Sequence, residues 1–570
     1  MSIKNVRGMR LSYNSSIRNS FNAESSPLFD PTEGETPSEL RTSRSKISWL
    51  LSSCGNVCDR SHGYFRQLRL DFDDRFLLVL ASTYFGVKGF VLHALWDGML
   101  PYFKDIMHTD GAQFQIYSNV ATLAFALKSA IGLLSDCIPI RGYHKKYYIM
   151  LSCIVGVLCL LMIVILPENY PMIASILFLL GALYAATADQ LVEGKYTEQM
   201  AAVPSSGSSL VTFVWGCINL GGLAVSCVIG PVGDNWNPRY IFLIAIPFAL
   251  QLFFPIMSGW LFETPREDGR GTYVRPHRSI LILTVCMTIF VLGFLVAALL
   301  GDTYQRLGYT LISSVILCLI MHFHYPTTLA RANLYMFLKE ALYIQMAGAL
   351  DYFYLADEVC LPGGPAFSYT YYQTFTQIVG YVASALGVVA FQTFFGRSKF
   401  RTAFYVVIGI KILASLFDIW IVTRANRAMG IPDQVAYMLG DAIIQPAVQM
   451  MDFMPAVVLT SKLCPKGFEA SVFALLASFS NYGQNVSRSL GGIMMNWFNI
   501  KTKAPCDFSN LPMMLAVGHV FLPLLSIPLA YVLIPEASMT DTMEEYTEGF
   551  VKLDTENNYQ RQEASAILSK

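Results

Sequence analysis

Apolar residues in this chain gather in long uninterrupted runs, not in the short alternating patterns of a water-soluble core. Runs of about 20 such residues match the length a helix needs to cross roughly 30 Å of hydrocarbon. They predict a first set of six spans near residues 76–103, 113–134, 147–166, 171–191, 210–230 and 240–261. A charged stretch over 263–278 follows. The two most uniformly apolar segments come next, at 279–300 and 307–325, and are expected to face lipid. A second set of six lies near 334–354, 369–395, 400–422, 436–459, 468–497 and 513–532. The fold expected is therefore an all-α polytopic membrane protein of about 14 transmembrane helices, arranged as two six-helix halves with two extra spans in the linker.

Polar segments set the domain boundaries. Residues 1–75 form a Ser-, Asn- and Arg-rich segment with too few periodic apolar positions to fold alone, expected to be largely disordered. The halves occupy 76–262 and 331–535, the linker with its two spans 263–330, and a tail 536–570. Arg141, Lys145 and Lys146 share one loop, and Arg266, Arg270, Arg275 and Arg278 another. Arg397, Lys399 and Arg401 occupy a third, and Lys462 and Lys466 a fourth. All four fall on one side, which the positive-inside rule makes cytosolic. The loop over 351–368 has no Lys or Arg and carries Asp357 and Glu358, so its side is external. An even helix count leaves both termini in the cytosol. Met1 is followed by polar residues, so no cleavable signal peptide is expected.

Composition excludes several function classes. With 54% hydrophobic and 14% charged residues among 570, the chain is too apolar for a soluble enzyme. Zero formal net charge and no large basic patch leave no footprint for nucleic acid. Most of the 12 cysteines lie inside apolar spans, as Cys153, Cys159, Cys286 and Cys318 do, and read as small buried hydrophobes. Cys54 and Cys58 are neighbours without the second pair a zinc site needs. Cys360 and Cys506 alone fall in external loops, where an oxidising exterior permits a disulfide.

Function is sought in ionisable residues inside the spans, each of which costs roughly 3 kcal/mol at the bilayer centre unless buried in the bundle or facing water. They are Lys88, Asp97, Lys128, Asp189, Lys339, Glu340, Lys411, Asp418, Asp441, Asp452 and Arg488. The two linker spans carry no Lys, Arg, Asp or Glu. Lys88, Lys339 and Lys411 read equally well as halves of structural ion pairs. Asp441, Gln445, Gln449 and Asp452 recur at helical spacing on one stripe, and so do Asn481, Gln484, Asn485 and Arg488. A polar stripe can simply glue helices, at about 1 kcal/mol per hydrogen bond. Two long stripes ending in charge favour the lining of an aqueous pathway.

The loop after the second span reads Gly132-Leu-Leu-Ser-Asp136-Cys-Ile-Pro-Ile-Arg141-Gly-Tyr-His-Lys145-Lys146. Its order resembles the loop that major-facilitator carriers place between their second and third helices, where acid and base lock the inward gate. Gly132, Asp136, Arg141 and Lys145 are the gating residues this implies. With the preceding Lys128, the string is similar to the folate-biopterin transporter family. So are Met454-Pro455, the run from Leu463 through Cys464-Pro465-Lys466-Gly467-Phe468-Glu469-Ala470, then Phe473-Ala474-Leu475-Leu476, Ser480-Asn481 and Gly440-Asp441. The strings at 189–196 and 364–369 look closest to the branch of that family found in trypanosomatid protozoa. Its paired aspartates in the fourth helix stand here as Asp189 and Glu193.

The resemblance implies a carrier importing a folate or biopterin, with S-adenosylmethionine as an alternative solute; with no organelle signal legible, the plasma membrane is the expected address. A pterin presents an amino group and an adjacent ring N–H that a carboxylate accepts at two points, with an aromatic wall for stacking. Asp189, Asp441, or Asp97 with Trp96 suit that role. A glutamate tail needs a cation, for which Arg488 or Lys128 serves. The lining so assembled is Trp96, Asp97, Lys128, Asp189, Glu193, Asp441, Gln445, Asp452, Asn481, Gln484 and Arg488. The same acids equally suit a coupled proton. A membrane-embedded enzyme is the competing class, but no metal-binding cluster, nucleophile motif or cofactor signature appears, and His93, His322 and His324 read as interfacial or structural. No GxxxxGK[ST] string points to nucleotide hydrolysis. A solute sensor or channel would share the same lining.

Overall fold

Three features of the helix starts follow directly from sequence. Asp73 caps the first long helix by accepting from Arg75 N. Asp110 and Gln113 cap the second reciprocally. Pro171 opens the fourth, where its missing N–H is no loss.

The computed structural model describes residues 63–203, 206–265, 278–324, 327–463 and 469–541. The first half comprises α1 (Asp74–Ile106), α2 (Gly111–Cys137), α3 (Lys146–Ile165), α4 (Pro171–Met200), α5 (Ser209–Asn235) and α6 (Arg239–Met257). The linker hairpin is α7 (Leu281–Leu300) and α8 (Thr303–His324). The second half comprises α9 (Thr327–Leu342), α10 (Ala347–Tyr354), α11 (Thr370–Phe395), α12 (Phe400–Val422), α13 (Asp433–Leu463), α14 (Glu469–Trp497) and α15 (Leu511–Leu533). Among the described residues there are isolated β-bridges but no strand.

Twelve of these helices are long and apolar enough to cross a membrane, fewer than the expected fourteen. The shortfall lies in the second half, where α9 and α10 are too short and α14 does not meet the same test. The apolar runs do face outward: Leu151, Leu158 and Ile165 on α3 and Ile289, Val296 and Leu300 on α7 are exposed, the pattern of a lipid-facing surface. The expectations for 1–62, for the basic positions 266, 270 and 275, for Cys54 and Cys58, for 464–468 and for 542–570 lie outside the described residues.

One expected span is corrected. The helix expected over 334–354 begins earlier, at Thr327, stops at Leu342 and resumes at Ala347. The backbone freed by the break is satisfied by three other helices. Ile344 N donates to Gly518 O, Gln345 N to Ser487 Oγ (2.8 Å), Ser487 Oγ to Tyr343 O (2.5 Å), and Gln115 Nε2 to Gln345 O (2.7 Å). His519 Nε2 lies 2.8 Å from Ile344 O. Irregular backbone at membrane depth persists only under such cover.

The halves meet along α2–α14, α5–α11 and α2–α10, and α7 and α8 pack over the α2–α14 seam. Ser313 and Tyr482 hydroxyls lie 2.7 Å apart there, and Asn496 Nδ2 donates to Thr303 Oγ1. The loops of the Cys360–Cys506 disulfide, whose Cα atoms are 5.0 Å apart, share one face of the bundle. That face is called the disulfide face below, and the opposite one, carrying Lys145 and Lys399, the basic face.

Close approach of α2 and α10 requires glycine, because a Cβ on Gly348 would collide with the Gly111 carbonyl and one on Gly111 with the Gly348 carbonyl. Gly348→Val should therefore destabilise the solubilised protein by about 1–3 kcal/mol, read as a lower thermal midpoint in detergent. Gly216→Val, into open space, should leave the midpoint unchanged. Equal midpoints for the two variants would refute the crossing.

Candidate functional site

Two buried ion clusters, one in each half, dominate the interior. Asp189 on α4 is 1% exposed; its Oδ1 lies 2.9 Å from Lys88 Nζ of α1 and its Oδ2 2.8 Å from Lys128 Nζ of α2. Glu193, one turn on, approaches Lys128 to 3.4 Å and accepts from Tyr196 OH. In the second half Asp452 on α13 sets Oδ1 at 2.7 Å from Lys339 Nζ of α9 and Oδ2 at 3.0 Å from Lys411 Nζ of α12. Glu340 lies 3.5 Å from Lys339. Each cluster holds two ammonium groups and two carboxylates. Asp189 and Asp452 each occupy the fourth span of a half, the same number of residues before its end at Met200 or Leu463. The ion-pair reading of Lys88, Lys339 and Lys411 is what the structure shows. That each pair shares one aspartate does not follow from the spacing of the charges.

Nearer the disulfide face the acids have no such partners. Asp418 accepts from Tyr354 OH (3.2 Å) and lies 3.8 Å from His519 Nδ1. Asp441 on α13 keeps Oδ2 buried without a hydrogen-bond partner. It sits on a π-helical stretch, Met438–Ile444, as Lys88 and His519 do on Ser82–Val91 and Ala516–Phe521. Such stretches widen a helix locally and recur at functional sites. Gln445 donates to Tyr343 OH at 3.4 Å. Tyr343, at the helix break, stacks on His519 with ring centroids 4.5 Å apart and has Lys411 Nζ 4.0 Å from its own centroid. Sequence reasoning singles out neither Tyr343 nor His519; His519 alone carries a signal, as a polar residue in an apolar span.

Trp96 and Asp97 lie on α1. The Trp96 ring is 5.2 Å from Phe125, and its Nε1 is buried and unpartnered. The Asp97 carboxylate is 3.4 Å from His93 Nδ1, and its carbonyl accepts from Gln373 Nε2 of α11. On α14 the stripe divides. Asn481 donates to Phe125 O and Asn485 accepts from Thr122 Oγ1, so these two bind α14 to α2. Gln484 and Arg488 have side chains in no hydrogen bond or ion pair among the described residues, and Glu340 is the acid whose field reaches the Arg488 guanidinium.

The expected gating loop is a tight hairpin. Ile140 and Tyr143 exchange backbone hydrogen bonds around Arg141 and Gly142, both at positive φ (53° and 82°), as a type I′ turn requires. Gly132 O accepts from Ser135 Oγ, and Asp136 stands on the last turn of α2. Arg141 lies over the Tyr147 ring. The Glu263 carboxylate, which sequence reasoning missed, accepts from His144, Lys145 and Lys146 N at 2.6–2.9 Å and so caps α3. Lys145 Nζ pairs with Glu198 at 2.9 Å. The partners named here belong to the first half, except Glu263 at the start of the linker.

A model of the BT1 family matches residues 88–552. The chain belongs to the BT1 family. Among its relatives, a protein of Arabidopsis thaliana named probable folate-biopterin transporter 5 is 24% identical over 74% of this chain and 75% of its own length. The folate-biopterin transporter of Synechocystis sp. is 25% identical over 78% and 79%. Folate transporter 1 of Plasmodium falciparum is 21% identical over 73% and 71%. Among solved structures, the peptide transporter POT in complex with sulfate superimposes with a TM-score of 0.58 at 13% identity, covering 80% of this chain and 93% of that one. The xylose transporter XylE from E. coli does so at 0.53 and 13%, covering 83% and 99%. The likeness establishes the major-facilitator fold for this BT1 member.

The clusters generate a stability prediction. Asp189→Asn leaves Lys88 without its acid and Lys128 with Glu193 alone, and should destabilise by about 3 kcal/mol. Lys88→Met leaves Lys128 with Asp189 and Glu193 and should destabilise less. Thermal unfolding in detergent orders the two, and a larger loss for Lys88→Met would contradict the shared-aspartate arrangement.

Proposed function

We propose that this BT1 member is a secondary carrier importing a folate-type solute, one with a pterin ring and a carboxylate, by alternating access and with protons. The observation that carries it is Arg488. Four interior lysines have acids at bonding distance, whereas the Arg488 guanidinium has none among the described residues. A cation held inside the bundle without a counter-ion favours an anionic solute. The names of the relatives support the same solute class. Trp96, with its free indole N–H, Asp97 and Phe125 offer a stacking wall and an acceptor for the ring. Asp441, with an unpartnered oxygen, is the place for a coupled proton.

The basic face is taken as cytosolic, with both termini on it, in the plasma membrane, and α9–α10 and α14 are counted with the twelve as crossing helices. Placement in the trypanosomatid branch belongs to the same proposal and rests on the strings at 189–196 and 364–369. A second reading, a cationic solute such as S-adenosylmethionine, draws on the acids Asp97, Asp418 and Asp441.

Uptake of labelled folic acid, biopterin and S-adenosylmethionine into vesicles, with and without an inward proton gradient, tests this. The intact chain should take up folic acid saturably and faster with the gradient. Arg488→Met should raise its KM by about tenfold or more, as loss of a charge-assisted hydrogen bond implies, with Arg488→Lys intermediate. Asp441→Asn should abolish the response to the gradient. Uptake of S-adenosylmethionine alone would transfer the assignment to the second reading, and uptake of none would refute both.

A further inference from the structure

The string at 364–369, with Tyr369 at its end, takes no part in the solute site, yet Tyr369 is held firmly by the opposite half. It is 7% exposed and belongs to the second half, at the head of α11. Four residues of the first half hold it. Its N–H donates to Asp234 Oδ1 and the N–H of Thr370 to Asp234 Oδ2, both at 2.7 Å. Its hydroxyl donates to Asp105 Oδ2 at 2.7 Å. Its ring lies against Gly233, where a Cβ would come within 3.1 Å, and Gly230 admits the adjoining backbone, a Cβ there standing 2.6 Å from Thr370 Cα. Asp234 on α5 thus caps the N-terminus of a helix in the other half, satisfying amide groups that a helix start leaves unpaired.

We propose that Tyr369 is the gate residue of the disulfide face. It is seated in the Gly230–Gly233 notch and latched by Asp105 and Asp234, so that the solute pathway opens to this face only when Tyr369 leaves the notch. Thr374, one turn along α11, is buried behind it and donates to Ser226 O. Gln373 beside it reaches Asp97 of the solute site. Departure of Tyr369 strips the cap from α11 and both N–H donors from the Asp234 carboxylate, so the latched state is favoured by several charge-assisted hydrogen bonds at once. A second group of cross-half hydrogen bonds, such as Ser129 N to Ser478 Oγ, runs along the α2–α14 seam.

This inference rests on alternating access but not on the identity of the solute, and its test uses none. In a chain whose free cysteines are replaced, Thr374→Cys is exposed to a membrane-impermeant maleimide on intact cells, with Ser509→Cys, on the exposed loop of the disulfide face, as the surface reporter. With the latch intact, Thr374→Cys should label slowly. Asp234→Ala should raise its rate by about tenfold or more and Tyr369→Phe by less, with the Ser509→Cys rate unchanged. Unchanged labelling in both variants overturns the gate, and so does a rise accompanied by loss of cooperative thermal unfolding. If Asp234→Ala fails to reach the membrane, Tyr369→Phe decides alone. Failure of Ser509→Cys to label refutes the external placement of this face, and the gate on it, while leaving the solute assignment to the uptake measurement.

Discussion

Inside the hydrocarbon layer a carboxylate needs a cation at hydrogen-bonding distance or water, and Asp189 and Asp452 each have two, one at either oxygen. The geometry of both halves depends on this requirement. The lysines around Asp189 come from α1 and α2, so three helices are pinned at one point; those around Asp452 come from α9 and α12. Removing a lysine shifts the charge balance, and removing the aspartate leaves two ammonium groups with a single, more distant carboxylate between them. A pair of triads therefore fixes six helices while leaving the remainder of each half to pack by shape, through glycines such as Gly89 and Gly387 that admit a neighbouring backbone.

The broken helix joins the second triad to the acids nearer the disulfide face. Lys339 and Glu340 lie in the last turn of α9, and Tyr343 begins the break. Its ring meets His519 on one side and Lys411 on the other, which places the Asp452 triad and the His519–Asp418 contact in one chain of touching groups. The freed backbone is held by Gln115 of the first half as well as by Ser487 and Gly518 of the second. A movement of α2 relative to α14 thus acts on the break directly, because α2 supplies one of its hydrogen bonds.

Much of this architecture is legible in the order of residues alone. The apolar runs of α3, α7 and α8 mark their helices because lipid exposure demands uninterrupted hydrophobicity, and Cys360 and Cys506 are the two cysteines that, among the described residues, sit in the loops of one face. The break is not legible: Tyr343, Ile344 and Gln345 include no glycine or proline, and their conformation is imposed by Ser487, Gln115 and His519 from distant parts of the chain. The triads are half-legible, since each charge stands out in an apolar span while nothing in the spacing says which lysine meets which acid. The stripe on α14 shows the same limit. Periodicity puts Asn481, Gln484, Asn485 and Arg488 on one face, but only contact with α2 separates the two that bind helices from the two that make no such bond. Glu263 escapes notice because a surface acid becomes a helix cap only when the fold brings three amide groups to it.

The two faces of the bundle differ in where their polar contacts run, and that difference bears on how the chain can move. On the basic face Lys145 pairs with Glu198, Glu263 at the start of the linker caps α3, and Lys399 pairs with Glu536 at the start of the tail, none of these contacts joining one half to the other. On the disulfide face Asp234 and Asp105 hold Tyr369, Lys104 donates to Leu355 O and Tyr352 OH donates to Thr109 O, each crossing between halves. Contacts internal to a half travel with it and resist no relative rotation, whereas contacts between halves must break for their face to part. Among the described residues the structure is therefore clasped at one end, with α2–α14 as the seam beneath. The interior cation Arg488 stands on that seam, where Gln115 Nε2 donates to its carbonyl, so the solute site lies against the contacts that hold the halves together and is reached from the basic face without unfastening the clasp.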